Sequence, residues 1–182
     1  MSNKGYKEII SAAVNDSDIF LSDIPEIDLY IDQIISLIED KYKDNKRSPK
    51  DKLLTKTMIN NYSKEGIIKP IKGKKYSRAH IIQMLMIYSM KNTLTIKEIK
   101  EVFDSGNFDK DSLIKCYVDF IEDKSKIREM TKEMVTSFME EADIDLEEDS
   151  DKLFALLGIT AMSSYMKNIA QRIVDEYCME GK

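Results

Sequence analysis

The chain has 182 residues and a net charge of −5, with 42% apolar residues, 34% charged residues, 6 Gly and 3 Pro. That apolar share supports a packed core and excludes a wholly disordered chain, and so few glycines and prolines favour helices over sheets. No segment approaches the roughly 20 consecutive apolar residues of a membrane span, residues 1–14 carry no signal-peptide apolar run, and Cys116 and Cys178 have no metal-ligand spacing. The expectation is a reduced, cytoplasmic protein with no membrane segment and no cofactor.

In chain order, residues 6–14 predict a short helix. "SDIPEIDLYIDQIISLIED" predicts a stronger one, with Asp23 as cap, Pro25 in the first turn, and Ile27, Ile31, Ile34 and Ile38 at helical spacing. "KYKDNKRSPKDK" is polar and holds Pro49, so it predicts a loop. A short helix is expected over about 54–65, stopping at Gly66. "IIKPIKGKKYS" places two short arms around Gly73 and predicts a small β-hairpin. Ser77 caps the next helix (78–91), which is apolar nearly all round and so expected to be buried. Thr95 to Glu98 form a capping box for a helix that ends at Gly106. Three further helices are predicted over 110–122, 126–141 and 151–179.

Charge is distributed unevenly. Residues 41–80 hold 13 Lys/Arg against 3 Asp/Glu, a net of +10, while 1–40 carry −7 and 81–182 carry −8. A basic block in an acidic chain is the electrostatic footprint of a phosphate-binding surface. On a helix over 54–65, Leu54, Met58, Ile59 and Tyr62 fall toward one side. The other side carries Lys56, Thr57, Asn60, Asn61, Ser63 and Lys64 and no carboxylate, a set of donors and cations suited to base edges in a major groove. Lys46, Arg47, Lys50, Lys52, Lys69, Lys72, Lys74, Lys75 and Arg78 are the expected phosphate contacts in the flanking loop and turn.

Other constellations carry less. His80 is the one histidine and reads as structural or as a phosphate contact at the turn. The eight carboxylates of 140–151 lack the glycine of a calcium loop, and Phe154 stands where its bidentate Glu would be. There is no phosphate loop and no nucleophile elbow, so no catalytic residue is assigned. In the final helix, Ile159, Met162, Met166, Ile169 and Ile173 recur at spacings of 3 and 4, a seam that fits either a homodimer or the chain's own core.

The succession of a polar-faced helix, "YSKEGIIKP", "GKKYS" and "TLTIKEIKEVF" resembles the winged helix-turn-helix domain of MerR-type regulators, through Tyr62, Gly66, Ile67, Ile68, Pro70, Tyr76, Ser77, Ile96 and Ile99. The recognition-helix arginine typical of that family is missing, with Asn60 near its place. "IPEIDLYIDQIISLIED" followed by "LLTKTMINNYSKEGIIKPIKGKKYSRAHI" is similar to the bacterial family termed domain of unknown function 1836. The resemblance to MerR-type proteins implies a mainly α fold: an N-terminal helical extension (1–20), a winged helix-turn-helix with a β-hairpin wing (21–106) and a C-terminal helical dimerisation or sensor region (107–182). It implies a DNA-binding transcriptional regulator with double-stranded DNA as partner and no named effector; the missing catalytic motifs and the seam of the final helix add the expectations of a non-enzymatic protein and of a homodimer through the C-terminal helix. The alternative is a protein-interaction module of the same shape that does not bind DNA.

Overall fold

The computed structural model describes residues 5–71 and 73–179. Among them are seven α-helices, α1 (Gly5–Val14), α2 (Ile31–Tyr42), α3 (Lys56–Lys64), α4 (Arg78–Met90), α5 (Ile96–Ser105), α6 (Lys110–Glu141) and α7 (Asp149–Tyr177), and two short strands, β1 (Leu29–Tyr30) and β2 (Lys75–Tyr76). The chain forms two units. One comprises residues 17–121 and 169–182; the other comprises 1–16 and 122–168. Both α6 and α7 contribute to each unit.

In the larger unit, a continuous apolar cluster joins Ile34 and Ile38 of α2, Ile59 and Tyr62 of α3, Ile81, Ile82, Met84, Leu85 and Ile87 of α4, Ile99 of α5 and Val174 of α7. Helix α4 is buried on most sides, as its composition predicts, and its Gln83 is buried with its amide donating to the Ile67 carbonyl at 2.8 Å. At 1% exposure, Tyr117 of α6 donates to the Ile19 carbonyl at 2.7 Å. Burial holds its phenol well above the usual range, with Tyr42, Asp18 and Asp23 adding to the effect. Thr95 and Glu98 close the capping box at 3.2 and 2.6 Å.

Several local expectations are corrected. Helix α2 begins at Ile31, not at Asp23. Pro25 lies in an irregular stretch, and Gln33 reaches back to accept from the Tyr30 N–H at 2.9 Å. Asp23 instead accepts from the Phe20 N–H and from Lys41, so it is spent on a short 3₁₀ turn, and Ile27 is exposed. The hairpin is not formed by the two arms around Gly73. The partner of β2 is β1, antiparallel, with Leu29 opposite Tyr76 and Tyr30 opposite Lys75, while residues 67–71 form no strand. Pro70 lacks an N–H to offer a ladder, whereas 29–30 is extended and free of proline. Residues 110–141 form one helix rather than two, since the intervening Asp123-Lys124-Ser125 holds neither Pro nor Gly to break it.

In the smaller unit, Tyr6 and Ile10 of α1 pack with Met139, Ile144 and Ala155, bordered by Val135, Phe138 and Leu146. Gly158 permits close approach of α6 to α7, because a Cβ there would lie 2.2 Å from the ring of Phe138, which stacks on Phe154 at 5.9 Å. Asp16 accepts from Arg128 at 2.7 and 2.9 Å and pairs with Lys124. Burial works to raise this carboxyl's pKa, but the hydrogen bonds from Lys124 and Arg128 outweigh it and hold the group below its usual range.

Candidate nucleic-acid interface

The basic stretch folds around α3. The Thr55 side chain accepts from the Met58 N–H and caps the helix; at the other end Gly66, with φ of 74°, lets the Ile67 N–H turn back onto the Tyr62 carbonyl. Only Gly adopts that conformation without strain. Ile59 and Tyr62 are buried, and Lys56, Thr57, Asn60, Asn61, Ser63 and Lys64 are all exposed. The hydroxyl of Ser63 is committed to the Ile59 carbonyl at 3.0 Å, so its free capacity is as an acceptor.

The turn that follows is anchored from three directions. Gln83 holds the Ile67 carbonyl, β2 is paired to β1, and His80 closes the start of α4. The Ser77 N–H points to Nδ1 of His80 at 3.2 Å, with the Ser77 hydroxyl 2.7 Å from the same nitrogen. Burial pushes the imidazole pKa down against the opposing pull of Asp28 and of the Lys69 backbone. An Nδ1 that accepts requires the proton on the other nitrogen. Gly73, with φ of 71°, turns the chain so that Lys74 and Lys75 stand exposed, Lys75 with its ammonium 5.1 Å from the Tyr30 ring centre.

The expected cations do not share one state. Lys46 is drawn to Glu39 at 2.5 Å and is mostly covered. Arg78 is also engaged internally. It donates to the Leu21 carbonyl at 2.5 Å and lies 3.7 Å from Glu26, with its Nε buried and without a partner. Lys69 donates to the Phe108 carbonyl at 2.6 Å, yet remains exposed. The side chains of Arg47, Lys50, Lys52, Lys64 and Lys74 are exposed and make no ion pair among the described residues. Lys72 lies outside the described residues.

Two features could not be seen in a one-dimensional reading. Asp32, the second residue of α2, stands 3.4 Å from Lys56, so the α3 face is not free of acid. At the other end of α3, Asn61, Lys64 and Glu65 form a polar groove of about 690 Å³ with Lys97, Lys100, Glu101 and Asp104 of α5. Lys97 and Lys100 thus extend the cationic border of α3, although their place outside the 41–80 block hides them; their i,i+3 spacing on a capped helix was the available signal. Lys91 is positional. Burial lowers its pKa, and its ammonium donates to the Leu53 carbonyl at 3.0 Å and lies over the Tyr88 ring, fixing the approach to α3.

No helix among the described residues is long and apolar enough to cross a membrane, and no group of His, Cys, Asp and Glu among them could hold a metal ion. A family model described as Domain of unknown function (DUF1836) matches residues 19–120, more than half the chain, and the chain belongs to that family. No curated protein and no solved structure matches it.

Proposed function

We propose that this member of the DUF1836 family is a non-enzymatic, DNA-binding transcriptional regulator whose α2–α5 region works as a winged helix-turn-helix of MerR-like type. The observation that carries the reading is the exposed face of α3, with Thr57, Asn60, Asn61 and Lys64, beside a glycine turn that presents Lys74 and Lys75. A helix of nine residues offers amides and hydroxyls to base edges, and lysines on an adjoining turn meet phosphates. The β1–β2 pairing supports the reading, since it ties the entry of α2 to the exit of the turn and gives the lysines a fixed base. Such a unit gains affinity by pairing on a two-fold site, and the apolar seam of α7, in which Ile159, Met166, Ile169 and Ile173 are exposed, supports a homodimer.

The second reading is a protein-interaction module of the same shape. What favours it is the acid beside the cations: Asp32 at Lys56, and Glu65, Glu101 and Asp104 in the α3–α5 groove. Mixed charge is common at protein surfaces and unfavourable against a polyanion. Selection of bound duplexes from a random pool, followed by titration of the enriched sequence at two salt concentrations, separates the two. Enrichment of a recurring motif with salt-sensitive affinity supports the regulator. No enrichment, or affinity indifferent to salt, removes it.

A further inference from the structure

Among the described residues of the unit formed by 1–16 and 122–168, more large apolar side chains are exposed than buried. Its buried apolar core consists of Tyr6, Ile10, Met139, Ile144 and Ala155. Against these five, Ile127, Met130, Met134, Leu156, Ile159 and Met166 are among its exposed large hydrophobics, Met130 at 68%, Leu156 at 65% and Met166 at 54%. Scattered exposure of this kind needs no explanation, but here the residues converge. Ile127, Met130, Met134 and Val135 of α6 and Ile159, Met162 and Met166 of α7 line one open groove of about 550 Å³, joined among the described residues by Thr131 and Ser163. The Thr131 hydroxyl already donates to the Ile127 carbonyl at 2.8 Å. Among the described residues, no charged one lines the groove. Leu156, Ile159, Ser163 and Met166, spaced 3, 4 and 3 apart, continue this face along α7.

We infer that this α6–α7 face is the docking surface for a second copy of the same chain, the two helix pairs closing into a four-helix bundle. Three observations select that occupant. The first is area. At roughly 100 Å² for each exposed side chain, the face offers on the order of 600 Å² of apolar surface, which with its polar rim reaches the ~800 Å² per partner of a standard interface. The second is charge. Lys126, Lys132 and Lys152 are each paired within their own helix, with Asp123, Glu129 and Asp149 at 2.5 to 2.8 Å, and Lys124 and Arg128 are matched by Asp16. Such locally neutral edges let identical surfaces meet about a two-fold axis without opposing like charges, as an isologous contact requires. The third is shape. Two antiparallel helices with an open apolar side are half of a bundle, and small Thr131 and Ser163 in the lining leave room for the partner's methionines. The inference deepens the pairing part of the reading above, adds α6 to it, and takes nothing from duplex binding.

The test is sedimentation equilibrium of the full chain at micromolar concentration, with helicity followed by circular dichroism. Wild type is expected at twice the 21.1 kDa chain mass. Met130→Glu, at an exposed position that a folded protomer tolerates, is expected to weaken association at least tenfold with helicity of the protomer retained. Leu153→Glu, exposed but outside the groove, is the control and leaves the dimer intact. A wild-type monomer overturns the inference. So does a dimer that withstands Met130→Glu, or one that dissociates on substitution of Ile169 and Ile173 while Met130→Glu leaves it intact, because pairing then runs along α7 alone. If Met130→Glu unfolds the chain, Ser163→Cys in a Cys116→Ser, Cys178→Ser background decides. Oxidative cross-linking across the two-fold axis supports the surface, and its absence overturns it. Duplex titration of the same samples reports separately on DNA binding, so a dimer that ignores DNA keeps this inference while removing the regulator.

Discussion

The salt dependence of duplex binding can be worked out from the states of individual cations. Nine side chains in the basic block are phosphate candidates by charge alone, but Lys46 is held by Glu39 and Arg78 by the Leu21 carbonyl. Moving either to a phosphate would break an existing partly buried contact, which offsets most of the gain. Lys69 would have to leave the Phe108 carbonyl. Of the nine, Arg47, Lys50, Lys52, Lys74 and Lys75 are therefore ready, and Lys64 on the α3 face, whose ammonium can meet a phosphate as well as a base, makes a sixth; all are exposed and free of ion pairs among the described residues. Each neutralised phosphate contributes about 0.9 to the slope of log K against log salt, so this set predicts a slope near −5 on B-form DNA. Fluorescence anisotropy of a labelled duplex between about 50 and 200 mM salt measures it, a range over which affinity should fall about a thousandfold. Lys74→Ala should reduce the slope by about 0.9, whereas Lys46→Ala should leave it unchanged. A flat response refutes the DNA reading. A Lys46→Ala effect equal to that of Lys74→Ala refutes the sorting of cations by their internal partners.

Other outcomes follow from single sites. Asn60→Ala, in the middle of the exposed α3 face, should cost about 1–3 kcal/mol on the best duplex and relax preference at one base pair; equal weakening on every duplex would show that α3 does not read bases. Gly158→Ala should destabilise the smaller unit by about 1 kcal/mol on thermal unfolding, because displacing the Phe138 ring outweighs the helix propensity gained, and a higher Tm would show that the ring swings aside freely. For His80, the folded-state pKa lies below the ordinary value of 6.5, so its neutral form contributes stability that is complete above that pH and is lost as pH falls toward the depressed value. Denaturant titrations at pH 7 and 5 should show that loss in wild type and a smaller one in His80→Gln; equal losses would mean that the imidazole is not the titrating group.

The sequence by itself determined the elements whose signals are local. The capping box of Thr95 and Glu98, the Gly66 stop, the all-round apolar character of α4 and the division of α3 into a buried and an exposed side each depend on residues within a turn or two of one another. The coarse statement of a mainly helical chain with a small antiparallel sheet, and membership of the DUF1836 family, were legible for the same reason: composition and a contiguous string carry them. What tertiary structure decided was partnership. The strand opposite Lys75 and Tyr76 lies more than 40 residues upstream, because Pro70 disqualifies the near arm and only a folded chain can bring residues 29–30 alongside. Charge showed that residues 41–80 are basic, but not that Glu39 would claim Lys46, that a backbone carbonyl would claim Arg78, or that Asp32 would stand beside Lys56. Likewise, the 3–4 seam of α7 fits a core and an interface equally well, since periodicity records which side of a helix is apolar and not what lies against it. That Met166, Ile169 and Ile173 are exposed is an outcome of tertiary packing that no spacing within α7 encodes.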